Sequence, residues 1–238
     1  METPMKLTLI GLGKMGQVVE TAARRQAMEV VDRFTSDRPL SCDDATRRKL
    51  TDVAAAVDFS IPEAVLPTVR AAADLSLNLV IGTTGWNDQL DEVRQTAQSS
   101  GLGIVWASNF SIGVNIFYRV VDRAAKIFSG LEGYDPFIQD WHHKFKKDSP
   151  SGTALELRRR MARHYGDREL PITSLRAGYV PSVHAVGFDS AGDTVHLEHR
   201  ARSRQGFADG ALLAAKWIAG RQGFFEFREV LDDLYPGG

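Results

Sequence analysis

The chain has 238 residues, enough for one large domain or two small ones around a sizeable core. Its formal net charge of -1, with no basic block and no interleaving of aromatic and basic residues, argues against a dedicated nucleic-acid binder. The single cysteine, Cys42, excludes an internal disulfide or a thiolate cluster and fits a reducing compartment. No apolar run approaches the ~18 residues of a membrane span, and Met1 to Pro4 carries no signal-peptide pattern. The expectation is a cytoplasmic protein with neither membrane nor nucleic acid as partner.

Lys6 to Ile10 reads as a short apolar strand that runs into Gly11-Leu12-Gly13-Lys14-Met15-Gly16 and then a helical stretch, Gln17 to Arg25. Glycines at these three places allow a tight turn, close approach of a pyrophosphate to backbone N–H groups, and close helix–strand packing. A lone G-x-G-x-x-G says little. Here it lies between strand and helix, with a second strand following at Glu29 to Thr35, and that context points to nucleotide binding. The acidic residue that commonly holds a ribose belongs at the end of that second strand, where Thr35 and Ser36 stand instead. Asp37 offers a ribose contact and Arg38 a 2′-phosphate contact, each equally readable as a loop residue, so use of both NADH and NADPH is expected.

Strand and helix signals then alternate. Ala54 to Phe59, Leu77 to Ile81 and Leu102 to Ala107 read as strands, with helices at Pro62 to Ala73 and about Asn87 to Gln98. Such alternation predicts an α/β Rossmann-type fold, a doubly wound parallel sheet. Ligands of such sheets lie at the carboxyl ends of the strands, where the turns at Gly82-Thr83-Thr84 and Ala107-Ser108-Asn109-Phe110 fall. Any one of these is ordinary turn chemistry; together they outline a cofactor cleft.

The pattern changes after Phe110. Ile112 to Phe128 is a long amphipathic helix, Phe137 to His143 a strand, and Thr173 to Gly178, Val183 to Asp189 and Thr194 to Ala201 three more strands, the last two joined at Ser190-Ala191-Gly192-Asp193. This is a smaller α+β domain with a mixed or antiparallel sheet. Phe207 to Ala219 is an apolar helix stopped by Gly220, and Phe224 to Leu234 closes the chain as its helical partner, returning to the first domain.

Between the strand at Phe137 and an amphipathic helix at Leu155 to His164 lies Trp141-His142-His143-Lys144-Phe145-Lys146-Lys147-Asp148-Ser149-Pro150-Ser151-Gly152-Thr153. Thr153 with Glu156 has capping-box spacing, while Pro150 and Ser151 are also good helix starts. A helix N-terminus offers free N–H groups and partial positive charge to a carboxylate or phosphate. With His143 and Lys146 beside it, the loop suits a small dianion, and His142 is left to move a proton. A solvated lysine-rich loop with a surface histidine pair is the bland alternative. No metal is expected, because neighbouring strand residues point to opposite faces and no further ligand sits at metal spacing.

Gly-Leu-Gly-Lys-Met-Gly from Gly11, Gly-Thr-Thr-Gly-Trp from Gly82, Ser-Asn-Phe-Ser-Ile-Gly-Val-Asn from Ser108 and above all His-His-Lys-Phe-Lys-Lys-Asp-Ser-Pro-Ser-Gly-Thr-Ala from His142 resemble the 4-hydroxy-tetrahydrodipicolinate reductase (dihydrodipicolinate reductase) family. The stretch from His199 to Ala211 resembles it too, so the likeness spans nearly the whole chain. It implies reduction of a small cyclic dicarboxylate with NADH or NADPH in lysine and diaminopimelate biosynthesis. It makes His142 the proton donor and Lys146 the assisting lysine. His143, Gly152 and Thr153 would bind the substrate's carboxylates, with Ser151 close by. Gly11 to Gly16, Gly82 to Thr84 and Ala107 to Phe110 would line the cofactor. The resemblance also implies a homotetramer joined through the second domain's sheet, and discontinuous domains: 1–108 with 205–238 for the dinucleotide, 109–204 for substrate and oligomerisation.

Asp140, Trp141, Ser149 and Ser182 depart from the family pattern, where Glu, two small residues and Gly are usual; Trp141 either narrows the site or packs behind it. Two other readings compete: another NAD(P)-dependent dehydrogenase of similar architecture, and a non-catalytic cofactor sensor. The first has no use for the His-His…Lys…Pro-Ser-Gly-Thr-Ala loop, and the second none for His142 and Lys146.

Overall fold

The structure, a computed structural model, describes residues 3–236. In chain order it runs β1 (Lys6–Ile10), α1 (Lys14–Arg25), β2 (Glu29–Phe34), α2 (Asp44–Lys49), β3 (Ala55–Asp58), α3 (Pro62–Leu75), β4 (Leu79–Ile81), α4 (Leu90–Ser100) and β5 (Gly103–Trp106). Then come α5 (Ile112–Phe128), β6 (Asp135–His142), α6 (Gly152–Tyr165), β7 (Ile172–Arg176), β8 (Val183–Asp189), β9 (Thr194–Arg200), α7 (Gln205–Ile218), β10 (Gly223–Glu226) and α8 (Phe227–Leu234). Two compact units result: the chain through Ile112 with the segment from Arg204 onward, and Gly113–Ser203.

The first unit is built on a six-stranded sheet in the order β10-β5-β4-β3-β1-β2, parallel at every pairing. Its strands alternate between two core layers. Leu7, Leu9, Val57, Val80 and Val105 face the layer that holds α1, α7 and α8; Ile10, Ala56, Leu79, Ile81 and Ile104 face the layer of α3 and α4. With helices burying both faces, the strands read as apolar runs rather than as apolar–polar alternation. Successive strands move outward in both directions from β1, so the order reverses between β1 and β3, the place where such sheets take their ligands. This is the doubly wound Rossmann-type sheet the sequence predicts.

Two local readings differ. The closing segment is not helical throughout: Gly223–Glu226 forms the sixth strand beside β5, and only Phe227–Leu234 is helix. Phe224 packs into one core layer and Phe225 into the other, a period of two that a helix cannot supply. The unassigned stretch after Thr35 holds α2, started by the Asp43 side chain, which accepts the Thr46 N–H at 2.8 Å.

The second unit has a four-stranded sheet in the order β7-β6-β8-β9, with β6 parallel to β7 and antiparallel to β8, so the sheet is mixed. One face packs under α5 and α6, where Ile138, Val186 and Phe188 meet Phe117, Val121, Leu157 and Met161. Among the described residues, no helix is long and apolar enough to cross a membrane.

Candidate active site

In the first unit, backbone bonds tie the loops after four strands into one row along the carboxyl edge of the sheet. Gly11 N–H donates to Phe34 O, Phe59 to Ile10, Gly82 to Asp58 and Ala107 to Ile81, at 2.8–3.2 Å. The loops at Gly11–Gly16, Gly82–Thr84 and Ala107–Phe110 are thereby brought together. The glycine loop fits a pyrophosphate. Gly11 has φ +84°, and a Cβ there would lie 2.4 Å from Phe59 O; a Cβ on Gly16 would lie 2.0 Å from Gly11 O. Gly13 caps α1 without a side chain, and a Cβ there meets nothing within 4 Å, so the helix start is open to an anion. Leu12 and Met15 are half-buried and Lys14 is exposed at this start.

The other loops contribute unevenly. The Thr83 hydroxyl is used locally, donating to Asp58 Oδ1 at 3.0 Å and accepting from Ser60 N at 2.8 Å, whereas Thr84 is exposed. Ser108 is exposed, and the Asn109 side chain accepts from Ser111 N at 2.8 Å. The Phe110 ring is core, 4.8 Å from the Phe227 ring, so this residue offers only backbone. Arg38 lies over the Phe34 ring at 4.7 Å and pairs with Asp32 at 2.6 Å, while Lys49 reaches the same carboxylate at 2.9 Å.

In the second unit β6 alternates strictly, and its buried face carries Ile138, Asp140 and His142. Trp141 points to the other face, paired in register with Leu175 and Val183, so it does not narrow the surroundings of His142. His143 follows the strand end, half-buried, with its Nδ1 lacking a hydrogen-bond partner. Lys146 Nζ contacts Asp148 Oδ1 at 2.8 Å. Ser151, not Thr153, caps α6: its hydroxyl accepts the Ala154 N–H at 3.2 Å. Glu156 pairs with Arg159 and Arg160 instead of closing a capping box, and Thr153 bonds Tyr118. Gly152 is exposed with open space in front of it, and the N–H groups of Gly152 and Thr153 have no place in the helix's own ladder.

The hub of this region is Asp140, fully buried. Its carboxylate accepts Ser151 N–H at 2.9 Å, Ser151 Oγ at 2.7 Å, Ser174 Oγ at 3.2 Å and Arg176 Nη2 at 2.7 Å. His142 Nδ1 approaches Oδ1 at 3.1 Å, an ion-pair contact outside hydrogen-bond alignment. Burial by itself would raise the Asp140 carboxyl, but His142, Arg176 and Ser151 together hold it well below the usual carboxylate range. His184 Nε2 lies 3.2 Å from Ser151 Oγ, and its ring centroid is 5.1 Å from that of His142. Burial first, then the charge at His142, pushes His184 down to about 4, against the pull of Asp140. Asp140, His142 and His184 place ligand atoms within 4.8 Å of one another, a juxtaposition with no counterpart in sequence spacing. A guanidinium and two Ser151 hydrogens already occupy the carboxylate, which suits a hydrogen-bonded cluster better than a cation site.

Known proteins resolve what this constellation belongs to. The family model described as dihydrodipicolinate reductase, N-terminus, matches residues 5–110, and that of the C-terminus matches residues 113–231. The chain belongs to the dihydrodipicolinate reductase family. The 4-hydroxy-tetrahydrodipicolinate reductase of Christiangramia forsetii is 34% identical, over 97% of this chain and 99% of its own. That of Stenotrophomonas maltophilia is 36% identical, again over 97% and 99%. In fold, the dipicolinate-bound dihydrodipicolinate reductase of Paenisporosarcina sp. TG-14 superposes with a TM-score of 0.77 at 22% identity, covering 94% of this chain and 98% of that one.

Sequence reasoning passed over Asp140, Ser174, Arg176 and His184 as site residues. A signal existed for Asp140 alone: two residues before His142 on a strand, it shares that histidine's face. Arg176 and His184 reach the cluster through the pairings His142↔Arg176 and Asp140↔His184, which depend on strand register.

Proposed function

We propose that the protein reduces 4-hydroxy-tetrahydrodipicolinate to tetrahydrodipicolinate with NADH or NADPH, in lysine and diaminopimelate biosynthesis. The observation that supports this most is a buried histidine, His142, beside an ionised Asp140, on the same strand–loop–helix unit as Lys146 and the open start of α6. The conversion loses one water and takes up one hydride and one proton. A bound dihydronicotinamide supplies the hydride. His142 delivers the proton where negative charge builds on the substrate ring, and Lys146 assists. Lys146, His143 and the N–H groups of Gly152 and Thr153 donate to the two carboxylates, with Ser151 holding the helix start in place. In the first unit Gly11, Leu12, Gly13, Lys14, Met15 and Gly16 cradle the pyrophosphate, while Gly82 to Thr84 and Ala107 to Phe110 flank the remainder of the dinucleotide.

The same reading makes the first unit the dinucleotide domain and the second the substrate and oligomerisation domain, in a cytoplasmic homotetramer. The open face of the second sheet supports the assembly: Trp141 lies there beside Leu175, which is 42% exposed, an apolar surface suited to another copy.

The test is a coupled assay in which the unstable substrate is generated from pyruvate and aspartate semialdehyde by its synthase while NADH or NADPH oxidation is followed. Oxidation must depend on the synthase. His142→Ala should lower kcat by about 100-fold with little change in KM, whereas Lys146→Ala should lower kcat and raise KM. A protein that binds the dinucleotide yet shows no synthase-dependent oxidation would be a sensor or a dehydrogenase of another substrate, and the proposal would fall.

A further inference from the structure

We infer that Asp140 is a positioning residue that holds the proton donor and the carboxylate-binding helix start in a single arrangement. The inference rests on His142 being the proton donor. Asp140 and His142 are two residues apart on the buried face of β6, which brings Oδ1 to 3.1 Å from Nδ1. With a carboxylate oxygen 3.1 Å from Nδ1, though outside hydrogen-bond alignment, charge favours the tautomer that carries its proton on Nδ1 and leaves Nε2 for the substrate. The same carboxylate takes both the N–H and the hydroxyl of Ser151, the residue that caps α6. Gly152 and Thr153 follow directly, so their N–H groups are aimed from a point anchored on Asp140.

Arg176 keeps this anchor ionised and immobile. It reaches the Asp140 carboxylate at 2.7 Å and also donates to the backbone oxygens of Asp140 at 2.9 Å and Asp148 at 2.8 Å, so one guanidinium ties strand and loop. The groups around the carboxylate are thus Arg176 from β7, His184 from β8, Ser151 from α6 and His142 from β6 itself, with Ser174 donating a hydroxyl. Of these, only His142 stands at the strand end that leads into the Lys146 loop. A carboxylate satisfied by so many donors has little freedom, which is the property a positioning residue needs.

The test is Asp140→Asn in the full-length enzyme, assayed beside His142→Ala. The amide has the same shape, but Ser151 N–H and Ser151 Oγ bond different oxygens of the carboxylate, so the amide keeps only one of these acceptors and no longer opposes His142 with a charge. We expect kcat to fall about 10–100-fold, the substrate KM to rise because the helix start is less well held, and the dissociation constant for NADPH to stay constant. Asp140→Glu should recover most of the activity, which loss of packing alone would not allow. An Asp140→Asn enzyme with wild-type kcat, alongside an inactive His142→Ala, overturns the positioning role while leaving the proton donor in place. Wild-type activity in His142→Ala instead removes His142 as the proton donor, and this inference with it, while the reduction itself stands; absence of synthase-dependent oxidation in the wild type removes the proposed function. Should the single variant fail to fold because Arg176 is left unpaired, Asp140→Asn with Arg176→Gln removes both charges. That double variant must show the same loss in kcat; normal turnover in it overturns the inference equally.

Discussion

Ser151 gives both its backbone N–H and its hydroxyl to one carboxylate, that of Asp140, at 2.9 and 2.7 Å. The same hydroxyl oxygen accepts the Ala154 N–H at 3.2 Å, so one side chain starts α6 and satisfies a buried charge. Ser151→Ala keeps the backbone bond and loses those two hydroxyl bonds together with the contact to His184 Nε2. Its unfolding free energy in urea should fall by about 1–3 kcal/mol, and the substrate KM should rise because the helix start is less well held. A change of less than about 0.5 kcal/mol would show that the hydroxyl is dispensable.

Gly13 and Gly16 lie three residues apart in one loop yet should fail differently. A methyl on Gly16 meets Gly11 O at 2.0 Å, while one on Gly13 meets nothing within 4 Å and projects into open space, where the proposed dinucleotide would lie. Gly16→Ala should therefore lower the melting temperature. Gly13→Ala should melt like the wild type but bind NADH and NADPH about tenfold more weakly or worse by fluorescence titration. Equal binding by Gly13→Ala would place the pyrophosphate elsewhere.

Acid should loosen the second unit before carboxylates titrate. His184 is pushed down to about 4 by burial, from an ordinary value near 6.5, so between these limits the unfolded chain binds a proton that the folded one refuses. Stability from this site is complete above about pH 6.5 and is lost as pH falls toward about 4. His199, also lowered by burial, acts in the same direction. Urea midpoints measured across this window should drop more steeply for the wild type than for His184→Asn.

Asp58 works with the opposite sign. It is fully buried at the end of β3, and burial raises its carboxyl, only partly offset by the bonds from Ser60 and Thr83. Its ionisation therefore opposes folding increasingly as pH rises through its elevated value. An asparagine oxygen accepts the same bonds, from Ser60 N at 2.8 Å and Thr83 Oγ1 at 3.0 Å. The melting temperature of Asp58→Asn relative to wild type should thus improve as pH increases; a gain that shrinks toward alkaline pH would contradict this account.

Local patterning carried much of the fold. The apolar runs at Lys6–Ile10, Ala55–Asp58 and Gly103–Trp106 are legible because both faces of a doubly wound sheet are buried, and Pro62 and Gly101 mark helix ends through backbone conformation alone. The strand Gly223–Glu226 was not legible: four residues are too few to separate a strand from the first turn of a helix, and its partner β5 lies over a hundred residues earlier. Similarly, Thr153-x-x-Glu156 and Ser151-x-x-Ala154 compete for the start of α6, and a tertiary contact, Ser151 against Asp140, favours Ser151.

By itself the sequence determined the sheet class, located the glycine loop and singled out the His142–Thr153 loop as the candidate site, because each is written in spacing within about one element. Only the tertiary structure decided that Trp141 turns away from His142 and that the histidine rests against His184 and against Asp140, whose carboxylate Arg176 also holds. Those relationships depend on which residues face each other across β7, β6 and β8, and strand register is set by the packing of the whole sheet against α5 and α6.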